Sequence, residues 1–229
     1  MLRKDKFLYL EWMITFGCNY TCTYCFYGYE NLRKHAYMFR ERGPRLAKTP
    51  LEKKVFPLLR KIGVFKYADA FRNFPLPKWL EFFDSVSTVR PDLYLSLTGG
   101  EPFLLHKEIG VIIRHLLSKF ESLMIRVDTN GSMIPGFGGE FKKHLTFNVS
   151  YHPTQVERDE LLRNLDALSA CGEVLMVNRV VEPGEIGDIL REVAYFKQHG
   201  YYLNVSPANF NIEAYSPEAR EILFKARSE

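Results

Sequence analysis

Cys18-Asn19-Tyr20-Thr21-Cys22-Thr23-Tyr24-Cys25-Phe26 sets three cysteines within eight residues, directly after the first apolar run of the chain. Disulfides between such near neighbours would be strained, and buried free thiols have no reason to gather on one loop. Three soft thiolates on a short loop instead form a metal-ligand set, and ligation by sulfur alone points to iron–sulfur chemistry. Held by three cysteines, a cubane [4Fe–4S] cluster keeps one iron without a protein ligand, whereas a cluster made only for electron transfer normally has four. Two rival ligand sets stay open at this point. One is a zinc site completed by His35 or Cys171; the other is an electron-transfer cluster closed by Cys171. Cys171, far along the chain beside Gly172, also reads as a small buried hydrophobe.

The run before the loop, Phe7 to Phe16, is rich in strand formers and stops at Gly17, so the loop hangs from the end of a first strand. Five further strand-like segments follow, at 93–98, 123–128, 145–150, 174–181 and 201–205. Between them lie helical patterns. Pro77 opens one that runs to Val89; Ile109, Ile112, Ile113, Leu116, Leu117 and Phe120 share one face of another. Leu161, Leu162, Leu165 and Leu168 make the next, with Gly172 expected as a left-handed cap. Ile186, Ile189, Leu190 and Val193 mark a helix closed by Gly200, and Ser216-Pro217 opens the last.

Six strands alternating with helices predict an α/β fold with a parallel sheet. Six units are too few for a closed eight-fold barrel, so the expected architecture is an open partial (β/α)6 barrel. Ligands gather at the carboxyl ends of the strands in such folds. The cysteine loop, Gly99-Gly100-Glu101-Pro102, Asn130, Ser150 to His152, Arg179 and Pro207 all fall at those ends. Glu11, a charge within the first apolar run, faces either the barrel interior or solvent. His152 is either a ligand contact or a hydrogen-bonded structural histidine.

With 229 residues, 46% hydrophobic and 14% aromatic, the chain has the makings of one domain, 1–229, with a substantial core. Disorder is excluded. No apolar run approaches the ~20 residues needed to span a bilayer, and the charged start Met1 to Lys6 is not a secretory signal. Four cysteines, three of them clustered, do not make a secreted disulfide scaffold. A cytoplasmic location without membrane attachment is expected. The net charge of +4 is uneven: from Glu30 to Lys66 eleven Lys or Arg face three acids, a net of +8. This basic segment belongs to a helical insertion at about residues 28–75, longer than a single crossover needs. It is either a solvated insertion or a surface for an anionic partner.

The spacing Cys-x3-Cys-x2-Cys, with Tyr24 before the last cysteine, resembles the signature of the radical S-adenosylmethionine (radical SAM) enzymes. Thr98-Gly99-Gly100-Glu101-Pro102, at the end of the second strand, resembles the same family's second motif. The likeness runs from roughly residue 9 to 208 and implies the radical SAM core fold. It implies a [4Fe–4S] cluster on Cys18, Cys22 and Cys25, with S-adenosylmethionine chelated at the fourth iron. Reductive cleavage would then release methionine and a 5′-deoxyadenosyl radical that takes a hydrogen atom from substrate. Tyr24 would face the adenine, and Gly99, Gly100 and Glu101 would receive the methionine ammonium. Asn130, Ser150 and Arg179 would contact ribose and carboxylate. No residue is nominated as a catalytic acid or base. The low-potential electron implies a reductant protein, flavodoxin or ferredoxin.

Two substrate classes stand side by side. A peptide or protein is favoured by the general likeness of residues 152–216 to members that continue into a cysteine-rich C-terminal domain. A nucleotide, nucleic acid or other phosphorylated molecule is favoured by the basic insertion. Outside enzymology, the remaining alternative is a non-catalytic metal-binding module. Because the chain ends soon after the sixth strand, it is expected to be either a piece of a longer protein or a minimal stand-alone enzyme.

Overall fold

Alternation of apolar and polar residues with a period of two builds six segments into one sheet. The computed structural model describes residues 7–15, 17–20, 75–208 and 212–228. Within them, β1 (Leu8–Thr15), β2 (Asp92–Gly99), β3 (Ser122–Thr129), β4 (Leu145–Tyr151), β5 (Glu173–Val181) and β6 (Leu203–Pro207) lie side by side in chain order. Each neighbouring pair is parallel, and among the described residues β1 and β6 form the two edges. This is the open α/β partial barrel that six units predict.

The helices are α1 (Leu76–Val89), α2 (His106–Leu117), α3 (Arg158–Cys171), α4 (Ile189–Gln198) and α5 (Pro217–Ser228). Proline in the first turn of α1 removes an N–H that has no partner there anyway. That helix stops at Val89 because Arg90, preceding Pro91, is held extended at φ −138°, ψ 113°. Where the sequence predicts one helix from Ile186, the chain forms a 3-10 segment, Pro183–Asp188, before α4 begins. Gly172 is also a correction. Its φ of −171° is extended, not left-handed. Glycine is needed there for closeness, since a Cβ would lie 2.7 Å from the Leu145 carbonyl oxygen and from the Phe147 ring.

One face of the sheet carries the core. Leu93, Leu95 and Leu97 of β2, Ile125 and Val127 of β3, Phe147 and Val149 of β4, and Val177 of β5 are fully buried there. Against them pack Ile109, Ile112, Ile113 and Leu116 of α2 and Leu161, Leu165 and Leu168 of α3, likewise fully buried. Full burial of each such side chain contributes roughly 1.5–3 kcal/mol. Trp12 of β1 meets Trp79 of α1 with ring centroids 4.3 Å apart, so α1 covers the β1 edge.

The residues that alternate with these form the other, concave face, and they are mostly polar: Glu11, Ser96, Arg126, Asp128, Asn148, Asn178, Asn204 and Ser206. In register across it run Glu11, Ser96, Arg126 and Thr146. Glu11 thus faces this surface, exposed at its edge. No described helix is long and apolar enough to cross a membrane.

Candidate functional site

Beyond Thr15 the backbone is pinned by the end of β2. The Gly100 N–H donates to the Thr15 carbonyl at 2.7 Å and the Glu101 N–H to the Gly17 carbonyl at 2.6 Å, while the Gly17 N–H donates to Thr15 Oγ1 at 3.0 Å. Gly99 makes this approach possible. Its φ is +121°, and a Cβ built on it would sit 2.1 Å from the Thr15 carbonyl oxygen. The cysteine loop therefore leaves β1 in direct contact with the Gly-Gly-Glu stretch.

Glu101 is fully buried. Its carboxylate accepts from the Phe103 N–H at 3.0 Å, from the Asn130 N–H at 2.8 Å, and from the Thr129 hydroxyl at 2.8 and 2.9 Å to its two oxygens. Burial pushes its pKa up to about 6 against the pull of those donors. The side chain is thus a brace between the ends of β2 and β3, with its oxygens already engaged by protein donors.

Cys18 is half-buried. Its sulfur accepts from the Tyr20 N–H at 3.4 Å and from the Asn130 side-chain amide at 3.6 Å. That amide also donates to Asn19 Oδ1 at 2.8 Å, and Asn19 donates to the Ser132 hydroxyl at 2.7 Å. Tyr20 presents its ring edge-on to His152, centroids 5.8 Å apart at 89°. Three strand ends and the β3–β4 connection therefore converge on the loop. Sequence pattern nominates none of Asn19, Thr129 and Ser132; the Asn130-Gly131-Ser132 turn signal is their one local trace.

No family model matches the sequence, and no curated protein does either. Solved structures do match. One, a hexahistidine-tagged anSMEcpe with bound AdoMet, has a TM-score of 0.59 over 95% of this chain and 56% of that one, at 17% identity. Native anSMEcpe with bound AdoMet gives 0.54 over 87% and 51%, at 13% identity. Native anSMEcpe with bound AdoMet and Cp18Cys peptide gives 0.54 over 87% and 50%, at 16% identity. That protein is a radical SAM anaerobic sulfatase maturase. The present chain shares the fold of these radical SAM structures. It spans about half the length of the solved chains it matches.

Other expected site residues take distinct places on this fold. Ser150 lies on the concave face at the end of β4, half-buried and in register with Asn178. Arg179 is turned the other way. It is paired in register with Tyr151 and Val205, is 3% exposed, and lies on the helix side. Its guanidinium meets Glu185 at 3.2 Å and Glu192 at 3.4 Å, donates to the Val180 carbonyl, and sits 5.8 Å from the Tyr151 ring centre. The structure thus places Arg179 as a buried ion-pair centre joining β5 to α4, away from the face where its strand-end position predicts a cofactor contact. Cys22, Tyr24 and Cys25, together with the basic segment up to residue 74, lie outside the described residues.

Cys171 is also decided by placement. It ends α3 just before β5 starts, whereas Cys18 follows the end of β1, so about a strand's length of ~25 Å along the sheet separates them. Its thiol is buried and donates to the Pro135 and Ala167 carbonyls. It closes no metal site with Cys18, and among the described residues no three His, Cys, Asp or Glu gather as a metal site.

His152 gives the fold an acid limit. Burial, aided by the positive Arg179, lowers its pKa from 6.5 to about 4. The imidazole is therefore neutral beside Tyr20. Its contribution to stability is fully present above pH 6.5 and is lost as pH falls to 4, a difference of about 3 kcal/mol. Glu101, raised from 4.5 to about 6, acts in the opposite sense: its contribution is present below pH 4.5 and lost as pH rises through 6. His152→Gln is expected to flatten the decline in urea midpoint between pH 6.5 and 4. Parallel profiles for the variant and the parent would rule out this role.

Proposed function

We propose that this chain is the core of a radical SAM enzyme in which Cys18, Cys22 and Cys25 hold a [4Fe–4S] cluster and the neighbouring strand ends bind S-adenosylmethionine. The observation that carries this is the direct contact between the Cys18 loop and Gly99-Gly100-Glu101 on adjacent strand ends. The described surroundings of Cys18 fit a ligating thiolate: a half-buried sulfur facing two N–H donors. When bound, the reduced cluster supplies the electron that splits the sulfur–C5′ bond of S-adenosylmethionine into methionine and a 5′-deoxyadenosyl radical, which takes hydrogen from substrate.

The chain's own groups do the positioning. Gly99 and Gly100 keep side chains away from the strand end, so backbone groups of residues 99–101 can meet a ligand ammonium. The Glu101 carboxylate holds that backbone in place, since its oxygens accept from Phe103, Thr129 and Asn130. Ser150 offers a hydroxyl from the concave face for ribose or carboxylate, and Tyr24 is assigned to the adenine. Half-buried, neutral His152 packs the Tyr20 side of the loop.

For the substrate, a peptide or protein is the better-supported class. A related fold holds AdoMet together with the Cp18Cys peptide. Among the described residues, the concave face carries Glu11 and Asp128 against one guanidinium, Arg126, which pairs with Asp128 at 3.2 Å. Such a surface repels phosphate, while its asparagines and serines suit amide groups. A flavodoxin or ferredoxin would deliver the electron, in a reducing cytoplasmic setting that suits thiolate ligands.

Anaerobic reconstitution with iron and sulfide tests the assignment. Expected are about four irons per chain and 5′-deoxyadenosine on addition of dithionite and S-adenosylmethionine. Tightly held zinc without cleavage would overturn it.

A further inference from the structure

We propose that Asn130 is a positioning residue for the cluster loop: its side-chain amide donates to the Cys18 sulfur, fixes the loop on the end of β3 and tunes the cluster's reduction potential. This rests on the assignment of Cys18 as a cluster ligand.

The orientation of the amide is dictated by its neighbours. Asn130 Oδ1 receives the Ser132 backbone N–H at 2.9 Å and the Ser132 hydroxyl at 2.5 Å. A backbone N–H can only donate, so the oxygen must lie on that side and the NH2 must face the loop. There its two protons find two acceptors, Asn19 Oδ1 at 2.8 Å and Cys18 Sγ at 3.6 Å. Two donors and two acceptor positions are all that a carboxamide has, and all are filled within the protein. Asn130 is 5% exposed, so a substitute lacking the amide has little water to replace it.

The same residue's backbone N–H donates to Glu101 Oε2 at 2.8 Å. Asn130 therefore links the loop after β1, the motif after β2 and the end of β3, although it stands 112 positions from Cys18 in the sequence. Asn19, donating to Ser132, closes the ring of contacts. With its capacity used in this way, the side chain is not the ribose or carboxylate contact that its strand-end position suggests.

An N–H aimed at a ligating sulfur withdraws charge from it, and so favours the reduced, more negative cluster and raises its potential. It also holds the loop in place before iron arrives, as outer partners of metal ligands generally do. Asn130→Asp keeps the acceptor for Ser132 but turns an anionic oxygen toward the sulfur. Asn130→Ser keeps a hydroxyl that can accept from the Ser132 N–H and removes the donor without adding charge.

The full chain and both variants would be reconstituted anaerobically, with three readouts. These are the midpoint potential followed by EPR, the rate of iron loss to a chelator, and hydrogen exchange of residues 17–20 in the iron-free chain. Expected are a lower potential in both variants, lowest in Asn130→Asp, iron loss faster by about ten- to a hundredfold, and faster exchange in the loop. A folded variant with unchanged potential and iron loss overturns the inference. Should Asn130→Asp not fold, Asn130→Ser decides alone. Failure of the parent chain to take up iron overturns the cluster assignment, and this inference with it, and is distinguishable because it precedes any variant.

Discussion

Gly99→Ala is expected to lower the stability of the fold by about 3–5 kcal/mol, a large part of the roughly 5–15 kcal/mol a domain usually has. Two independent penalties combine. The left-handed φ of +121° is strained for any residue with a side chain, and the added methyl would lie 2.1 Å from the Thr15 carbonyl oxygen, which is backbone and cannot rotate away. To relieve the contact, the β2 end must withdraw and break the Gly100-to-Thr15 and Glu101-to-Gly17 hydrogen bonds, which releases the cysteine loop. Gly184→Ala is the control: nothing lies within 4 Å of its Cβ and its φ is ordinary, so it should stay within about 1 kcal/mol of the parent. Urea unfolding of the two variants checks this. Equal midpoints would mean that the β1–β2 junction yields more easily than its geometry allows.

Cys18→Ala should have the opposite profile, with chemistry lost and fold kept. Iron binding should fall and 5′-deoxyadenosine should become undetectable, because a thiolate ligand cannot be replaced by a methyl group. The folded chain gives up an acceptor for the Tyr20 N–H and the Asn130 amide, at a cost of about 1 kcal/mol. The buried core holds no described residue of this loop, and Tyr20 packs only against its margin. Thermal melting and iron analysis of the iron-free and reconstituted chain distinguish the roles. Global unfolding of Cys18→Ala would identify a structural metal instead of a cofactor site.

The sheet is legible in the sequence because each strand is a short apolar run, most with a period of two, ended by a turn signal. The split of the predicted helix into a 3-10 segment and α4 is less legible, since Pro183, Gly184 and Gly187 weaken the first turns without abolishing the apolar spacing. Arg179 shows a different limit. Position at a strand end nominates a residue, but the face it occupies decides its role, and the same period of two sets Arg179 between buried Val177 and Val181. Gly172 misleads because closeness to a neighbouring strand and left-handed φ both select glycine, and only its neighbours in space separate the two. The tie between Cys18 and Asn130 is hidden for want of locality. Cys18 is nominated by its cysteine spacing as a metal ligand and Asn130 by its strand end as a cofactor contact, and Asn19 and Ser132, 113 residues apart, carry no pattern that joins them.

The polar concave face of the sheet has one more consequence. Ser96, Asn178, Asn204 and Ser206 belong to strands joined by backbone ladders and by side chains on the reverse side, with cross-strand bonds from Asn204 to Asn178 and from Arg126 to Ser96 added on this face. Helix packing and the polar surface are therefore written on opposite sides of the same strands. Exchange of an inner residue such as Asn204 leaves the helices' packing untouched and costs its bond to Asn178, so the inner surface can vary while the outer one stays fixed.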